Sequence, residues 1–253
     1  MPRKNGNVTR GERRQSQRNK QQKTERVLDP RFNEEREKLI KPVLAKNAHQ
    51  KEYLRSIMSN MITVGRGSAG TGKTWCAAAM ASNMYLKGEI DKIVVMRPLV
   101  GMGKSSGFWP GTIQDKLGPY LAPILSTIRE RIGDARYEND FNKNIVIQPM
   151  EAVRGMNFNE KTFIIIDEAQ NCTPEEIRSL TTRLAEGSRA VFCGDSKQKD
   201  LQGMSGIDYL CNLISKHSIE NCGFVDFTPE DIVRSGLTRV FVELYDAEGP
   251  CPK

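Results

Sequence analysis

Gly67-Ser68-Ala69-Gly70-Thr71-Gly72-Lys73-Thr74 matches the phosphate-loop pattern G-x-x-x-x-G-K-[ST] at every specified position. Met61-Ile62-Thr63-Val64 in front of it predicts a short buried strand, and residues 75–81 behind it predict a helix, which is the context the pattern requires. The glycines let backbone N–H groups turn inward around phosphate oxygens, while the helix points its positive N-terminal end at them. Lys73 is expected to reach the β- and γ-phosphates, and the Thr74 hydroxyl to sit on Mg²⁺. An ordinary Gly-rich turn between a strand and a helix would not need the lysine and the threonine as well.

The second decisive stretch is Lys161-Thr162-Phe163-Ile164-Ile165-Ile166-Asp167-Glu168-Ala169-Gln170. Its four consecutive apolar residues predict a strand buried on both faces, as in the centre of a parallel sheet. Asp167 and Glu168 follow at the C-terminal end, the edge where open α/β sheets bind ligands. Asp167 fits a magnesium-side carboxylate and Glu168 a residue that polarises attacking water. Gln170 is placed to carry the state of the γ-phosphate to another surface. Two acids after a strand are weak evidence alone; behind a phosphate loop they point to hydrolysis.

The remaining elements fit around these two. Strands are expected over 92–96, 144–148, 189–193 and 222–227, and helices up to Lys87, over 112–132 and over 206–216. The helix over 112–132 is expected as two pieces broken near Pro119 and Pro123. Thr173-Pro174-Glu175-Glu176 is a capping box with proline at the first helical position. Thr228-Pro229-Glu230-Asp231-Ile232-Val233-Arg234 opens another capped helix, interrupted at Ser235-Gly236-Leu237 and continuing over 238–245. A short helix is expected over 33–40. Gly194-Asp195-Ser196-Lys197-Gln198 places an acid and an amide at a strand's C-terminal edge, where they can sense phosphate and water. Upstream of the loop, Gln50 offers a donor and an acceptor side by side for adenine, and Tyr53 one turn later could stack on the base.

The charge is confined to one end. Residues 1–26 carry nine Lys or Arg against two acids, and the remaining chain has 29 of each sign, so the net charge of +7 lies in this segment. With almost no apolar side chains, residues 1–30 are expected to be a disordered basic tail ahead of a single domain over 31–253. The tail reads equally as a phosphate-neutralising arm or as a solubilising one. Residues 101–111, with Lys104 and the Phe108-Trp109 pair, suit either a loop touching single-stranded nucleic acid or one anchored to the core. Six cysteines occur without a C-x-x-C pair, and with only two histidines a zinc site is not expected. Reduced thiols, no apolar leader and no long apolar run fit a cytoplasmic chain without a membrane span.

In order, Gln50, G-S-A-G-T-G-K-T, Arg97-Pro98, G-F-W-P-G, F-I-I-I-D-E-A-Q, G-D-S-K-Q and D-I-V-R resemble the PhoH family of ATPases over roughly residues 43–246. The resemblance implies an α/β fold with a RecA-like core related to superfamily 1 helicases, in a family with common phage-encoded members. It implies ATP and Mg²⁺ as ligands. Gln50 then matches the adenine-reading position. Gly67, Ser68, Ala69, Gly70, Thr71, Gly72, Lys73 and Thr74 match the phosphate loop. Asp167 and Glu168 match the metal-side and water-activating acids, Gln198 the γ-phosphate sensor and Arg234 a late arginine. The loop lacks the Glu that many members carry where this chain has Met102 and Lys104, and Ser205-Gly206-Ile207 stands for the usual Ser-Gly-Leu.

Three functions follow as expectations. The first is an ATPase coupled to RNA or single-stranded DNA, of helicase or translocase type. After the tail there is room for one lobe only, so the expected form is a homo-oligomeric ring, hexameric, with Arg234 facing the adjoining site as an arginine finger. The second is a nucleotide-gated RNA-binding protein with little turnover. The third is a P-loop small-molecule kinase, against which Glu168, Gln170 and Gln198 weigh.

Overall fold

β4 (Thr162–Ile166) is buried along its whole length, because strands flank it on both sides and helices cover both of its faces. It lies in a six-stranded sheet of order β3-β2-β4-β5-β1-β6, every pair parallel. The computed structural model describes residues 39–99 and 112–248. The basic tail, most of the helix expected over 33–40 and the segment with Lys104, Phe108 and Trp109 lie outside these residues.

Within the described residues the helices and strands run α1 (Ala48–Ser59), β1 (Ile62–Gly67), α2 (Lys73–Lys87), β2 (Lys92–Arg97), α3 (Ile113–Ile132), α4 (Asp134–Asp140) and β3 (Ile145–Pro149). Then come β4, α5 (Pro174–Thr181), β5 (Arg189–Gly194), α6 (Gly206–His217), β6 (Cys222–Phe227) and α7 (Gly236–Glu248). The expected α/β class and the expected strands are present. β5 lies between the phosphate-loop strand β1 and the acid-bearing strand β4, which is the RecA-like arrangement.

Period-two alternation sorts each strand's side chains between two apolar layers. Val64, Val94, Met96, Ile164, Ile166 and Phe192 enter a core with Ile177 and Leu180 of α5 and Ile207, Leu210 and Ile214 of α6. The alternate residues Ile93, Val95, Phe163 and Ile165 are equally buried. α1, α2 and α3 pack in succession along the sheet, from β6 to β3. A parallel sheet places all its strand ends on one edge, and there the loops after β1, β2, β4, β5 and β6 converge.

Two elements differ from the sequence reading. α3 is one helix, with Pro119 and Pro123 inside it. Both prolines are exposed, four residues apart on the face away from Leu117, Leu121, Ile124, Ile128 and Ile132, so the carbonyls they leave unbonded turn toward water. The buried stripe and the Thr112–Asp115 capping box hold the helix together across the breaks. The second difference lies after β6. The Thr228–Asp231 capping box closes only a 3-10 turn over Pro229–Asp231, and Ile232 leaves it extended. The chain then runs along the phosphate loop, Val233 N–H donating to Gly70 O at 3.1 Å, and becomes helical again only at α7. A tertiary hydrogen bond has replaced the helical one.

Candidate active site

The phosphate loop leaves β1 at Gly67, whose φ is +129°; a Cβ there would lie 2.0 Å from Phe227 O on the neighbouring strand. Gly72, at φ +85°, starts α2 in a left-handed conformation, and a Cβ on it would meet Gln50 Nε2 at 2.9 Å. The two glycines are therefore demanded both by backbone angle and by space. Ser68, Thr71 and Lys73 are buried and Ala69 is exposed. Lys73 Nζ donates to Gly67 O and Ser68 O, both at 2.7 Å, and to Thr71 Oγ1 at 3.1 Å. Burial lowers the pKa of its ammonium from the ordinary value.

β4 delivers Asp167 and Glu168 beside this loop. Thr74 Oγ1 donates to Asp167 Oδ1 at 2.9 Å, joining residues 93 positions apart. Arg97, at the end of β2, donates through Nη1 to Asp167 Oδ2 at 3.1 Å, and its Nη2 lies 3.7 Å from Glu168 Oε1. Burial and then the charge of Glu168 raise the pKa of Asp167 above the ordinary carboxylate value, with Arg97 and Thr74 opposing them. Glu168 adopts φ +50°, an uncommon left-handed conformation for a side-chain-bearing residue. Gln170 is buried; its Nε2 donates to Glu168 Oε2 at 2.5 Å, and its Oε1 accepts from Asp195 N at 3.1 Å. The amide thus links the acid to the end of β5.

The other sequence candidates fall around this centre with different roles. Gln50 is buried at the first turn of α1, its Nε2 donating to Thr71 O at 2.8 Å and its Oε1 accepting from Lys46 N at 2.8 Å. Both ends of the amide hold protein backbone, so Gln50 braces the loop in this conformation. Tyr53 is fully buried, not open to a base: its ring lies edge-on to Phe227, and its hydroxyl is 3.3 Å from Cys193 Sγ. Gln198 is exposed and joins the site through its backbone, its carbonyl 3.4 Å from Gln170 Nε2. Arg234 lies against the phosphate loop of its own chain, its Cδ 3.2 Å from a Cβ built on Gly70. Arg97, which in the sequence appeared only in the Arg97-Pro98 pair after the second strand and was given no role, is the cation that the fold brings to both acids. A cation ending an apolar strand was the available signal, but the pairing of β2 with β4 was needed to interpret it.

These residues fit a nucleoside triphosphate and its divalent ion. Glycines that admit no Cβ leave the loop amides open, and the 15-residue α2 begins directly at the loop. Among the described residues, no group of three or more His, Cys, Asp or Glu side chains could hold a metal. Thr74 and Asp167 alone suit an ion that takes most of its ligands from phosphate and water, as Mg²⁺ does. No helix among the described residues is long and apolar enough to cross a membrane.

The family model described as PhoH-like protein matches residues 42–246. The chain is 33% identical over 211 residues to the PhoH-like protein of Bacillus subtilis, covering 82% of this chain and 65% of that one. It is 32% identical over 244 residues to the PhoH-like protein of Synechocystis, covering 90% and 74%. It is 34% identical over 209 residues to Protein PhoH of Escherichia coli K12, covering 81% and 58%. The chain thus spans between 58% and 74% of these three relatives' lengths. Among solved structures, the large terminase of a thermophilic bacteriophage in complex with ADP superposes with a TM-score of 0.49 at 14% identity, covering 79% of this chain and 50% of that one.

Proposed function

The chain belongs to the PhoH-like protein family, and we propose that it binds and hydrolyses ATP with the site built on β1 and β4. One observation carries the proposal: the Thr74 hydroxyl donates to the Asp167 carboxylate, so the phosphate loop and the acidic strand end form one centre. The loop N–H groups and Lys73 would hold the phosphates, Lys73 exchanging its bonds to Gly67 O and Ser68 O for phosphate oxygens. Thr74 and Asp167 would hold Mg²⁺, which supplies charge neutralisation on the phosphate oxygens. Glu168 orients the attacking water and accepts its proton. Gln198 and the buried Gln170 connect that acid to the loop after β5. The test is ATP turnover and ATP affinity in the parent, Lys73→Ala and Glu168→Gln chains. Turnover should vanish in both variants, with ATP affinity kept in Glu168→Gln; substantial turnover in Glu168→Gln removes that residue from the mechanism.

We further propose that hydrolysis is coupled to RNA or single-stranded DNA, and that the working form is a homo-oligomeric ring of six in which Arg234 serves the neighbouring site. The basic residues 1–26 support the first reading. The second draws support from α7, which directly follows Arg234 and Ser235. Leu237, Val240, Phe241, Leu244 and Tyr245 are all exposed on it, at helical spacing. In the single chain Arg234 rests on its own loop, and assembly would turn it outward. Comparing ATP turnover without polymer and with RNA, single-stranded DNA or duplex at one salt concentration tests the coupling. Equal rates in all four would leave a nucleotide-gated binder or an uncoupled ATPase. Mixing Lys73→Ala with Arg234→Ala chains tests the ring: a neighbour's arginine restores part of the activity, and a mixture as inactive as its components sinks the trans role.

A further inference from the structure

We propose that Arg97 is a positioning residue for the hydrolytic pair, holding Asp167 and Glu168 together from the end of β2; this rests on the ATPase reading above. Two carboxylates on adjacent residues at a partly buried strand end repel one another. The Arg97 guanidinium answers both, with Nη1 3.1 Å from Asp167 Oδ2 and Nη2 3.7 Å from Glu168 Oε1. It is itself fixed. Its guanidinium carbon lies 5.3 Å from the centre of the Tyr120 ring on α3, and two residues on, Leu99 N–H donates to Glu151 Oε1 at 3.0 Å.

Glu168 is consequently clamped from two sides, Oε1 toward Arg97 and Oε2 by Gln170. Asp167 is clamped likewise, Oδ1 by Thr74 and Oδ2 by Arg97. Among the described residues, Arg97 is the side chain common to both clamps. An acid that must meet a water molecule in one orientation gains from such fixing, because a small misplacement lowers the rate without weakening nucleotide binding. A planar, forked cation suits the task, since it can address two carboxylates at once.

The experiment compares Arg97→Met and Arg97→Lys with the parent in two measurements. In the first, Arg97→Met lowers kcat about 100-fold, ATP affinity stays within about threefold of the parent, and Arg97→Lys recovers part of the loss. Parental kcat in Arg97→Met, or a loss residing wholly in ATP affinity, overturns the proposal. The second is thermal unfolding without nucleotide. Arg97→Met should lower Tm by about 4 °C in the parent and by clearly less in an Asp167→Asn, Glu168→Gln background, where the charges it answers are gone. Equal losses in both backgrounds overturn the proposal. If the parent chain hydrolyses no ATP, the ATPase reading fails by itself, and the unfolding cycle still decides whether Arg97 holds the two acids.

Discussion

Asp167 binds its proton more tightly in the folded chain than in the unfolded one, because the site buries it beside Glu168. Below the ordinary carboxylate pKa both states carry that proton. Between the ordinary value and the raised one the native state holds it more, so this residue's contribution to stability falls as pH rises through that window. Asp167→Asn abolishes the dependence. Urea unfolding between about pH 4 and pH 7 should show the variant losing less stability with rising pH than the parent, and parallel profiles would exclude the effect. The placement of some site residues could be read from sequence and that of others could not. The phosphate loop, Asp167 and Glu168 were legible in position because local order fixes them: a glycine-dictated turn and a strand end. Tyr53 and Arg97 were not, since their surroundings depend on what stands opposite. Phe227 and Cys193 enclose Tyr53, and the pairing of β2 with β4 brings Arg97 to the acids.

α3 carries two interior prolines without breaking, and both lie on its solvent face. Each still removes one helical hydrogen bond. Pro123→Ala should therefore stabilise the chain, by about 1 kcal/mol after the added freedom of the unfolded state is set against the regained bond. Urea unfolding measures it, and a loss of stability would mean that the proline sets a bend needed by the packing. Local signals identified most elements: the Thr173 capping box starts α5, and Gly88 in a left-handed conformation ends α2. They failed after β6. The Thr228–Asp231 box is formed as the sequence implies, but His49 Nδ1 lies 2.6 Å from Asp231 Oδ2, Asn47 Nδ2 donates to Asp231 O, and Val233 binds Gly70. Contacts from residues more than a hundred positions away redirected a segment whose own propensity was helical.

Across the whole molecule the charge is segregated, with a neutral body and nine cations in residues 1–26. Deleting residues 1–26 should weaken binding to single-stranded nucleic acid and flatten its dependence on salt, because fewer counterions are then released. Titrations at several salt concentrations check this, and unchanged affinity and slope would make the segment solubilising only. The strand order has a separate outcome for how the protein is made. Of the six described strands β1 is the first to leave the ribosome, yet its two sheet neighbours, β5 and β6, are the last. For more than a hundred residues of synthesis the nascent phosphate-loop strand has no partner along either edge, and Gln50 and Val233 reach its loop from opposite ends of the body. Nucleotide binding is thus among the last properties the growing chain acquires, and until then a strand with two open edges depends on fast completion or on chaperones to avoid pairing elsewhere.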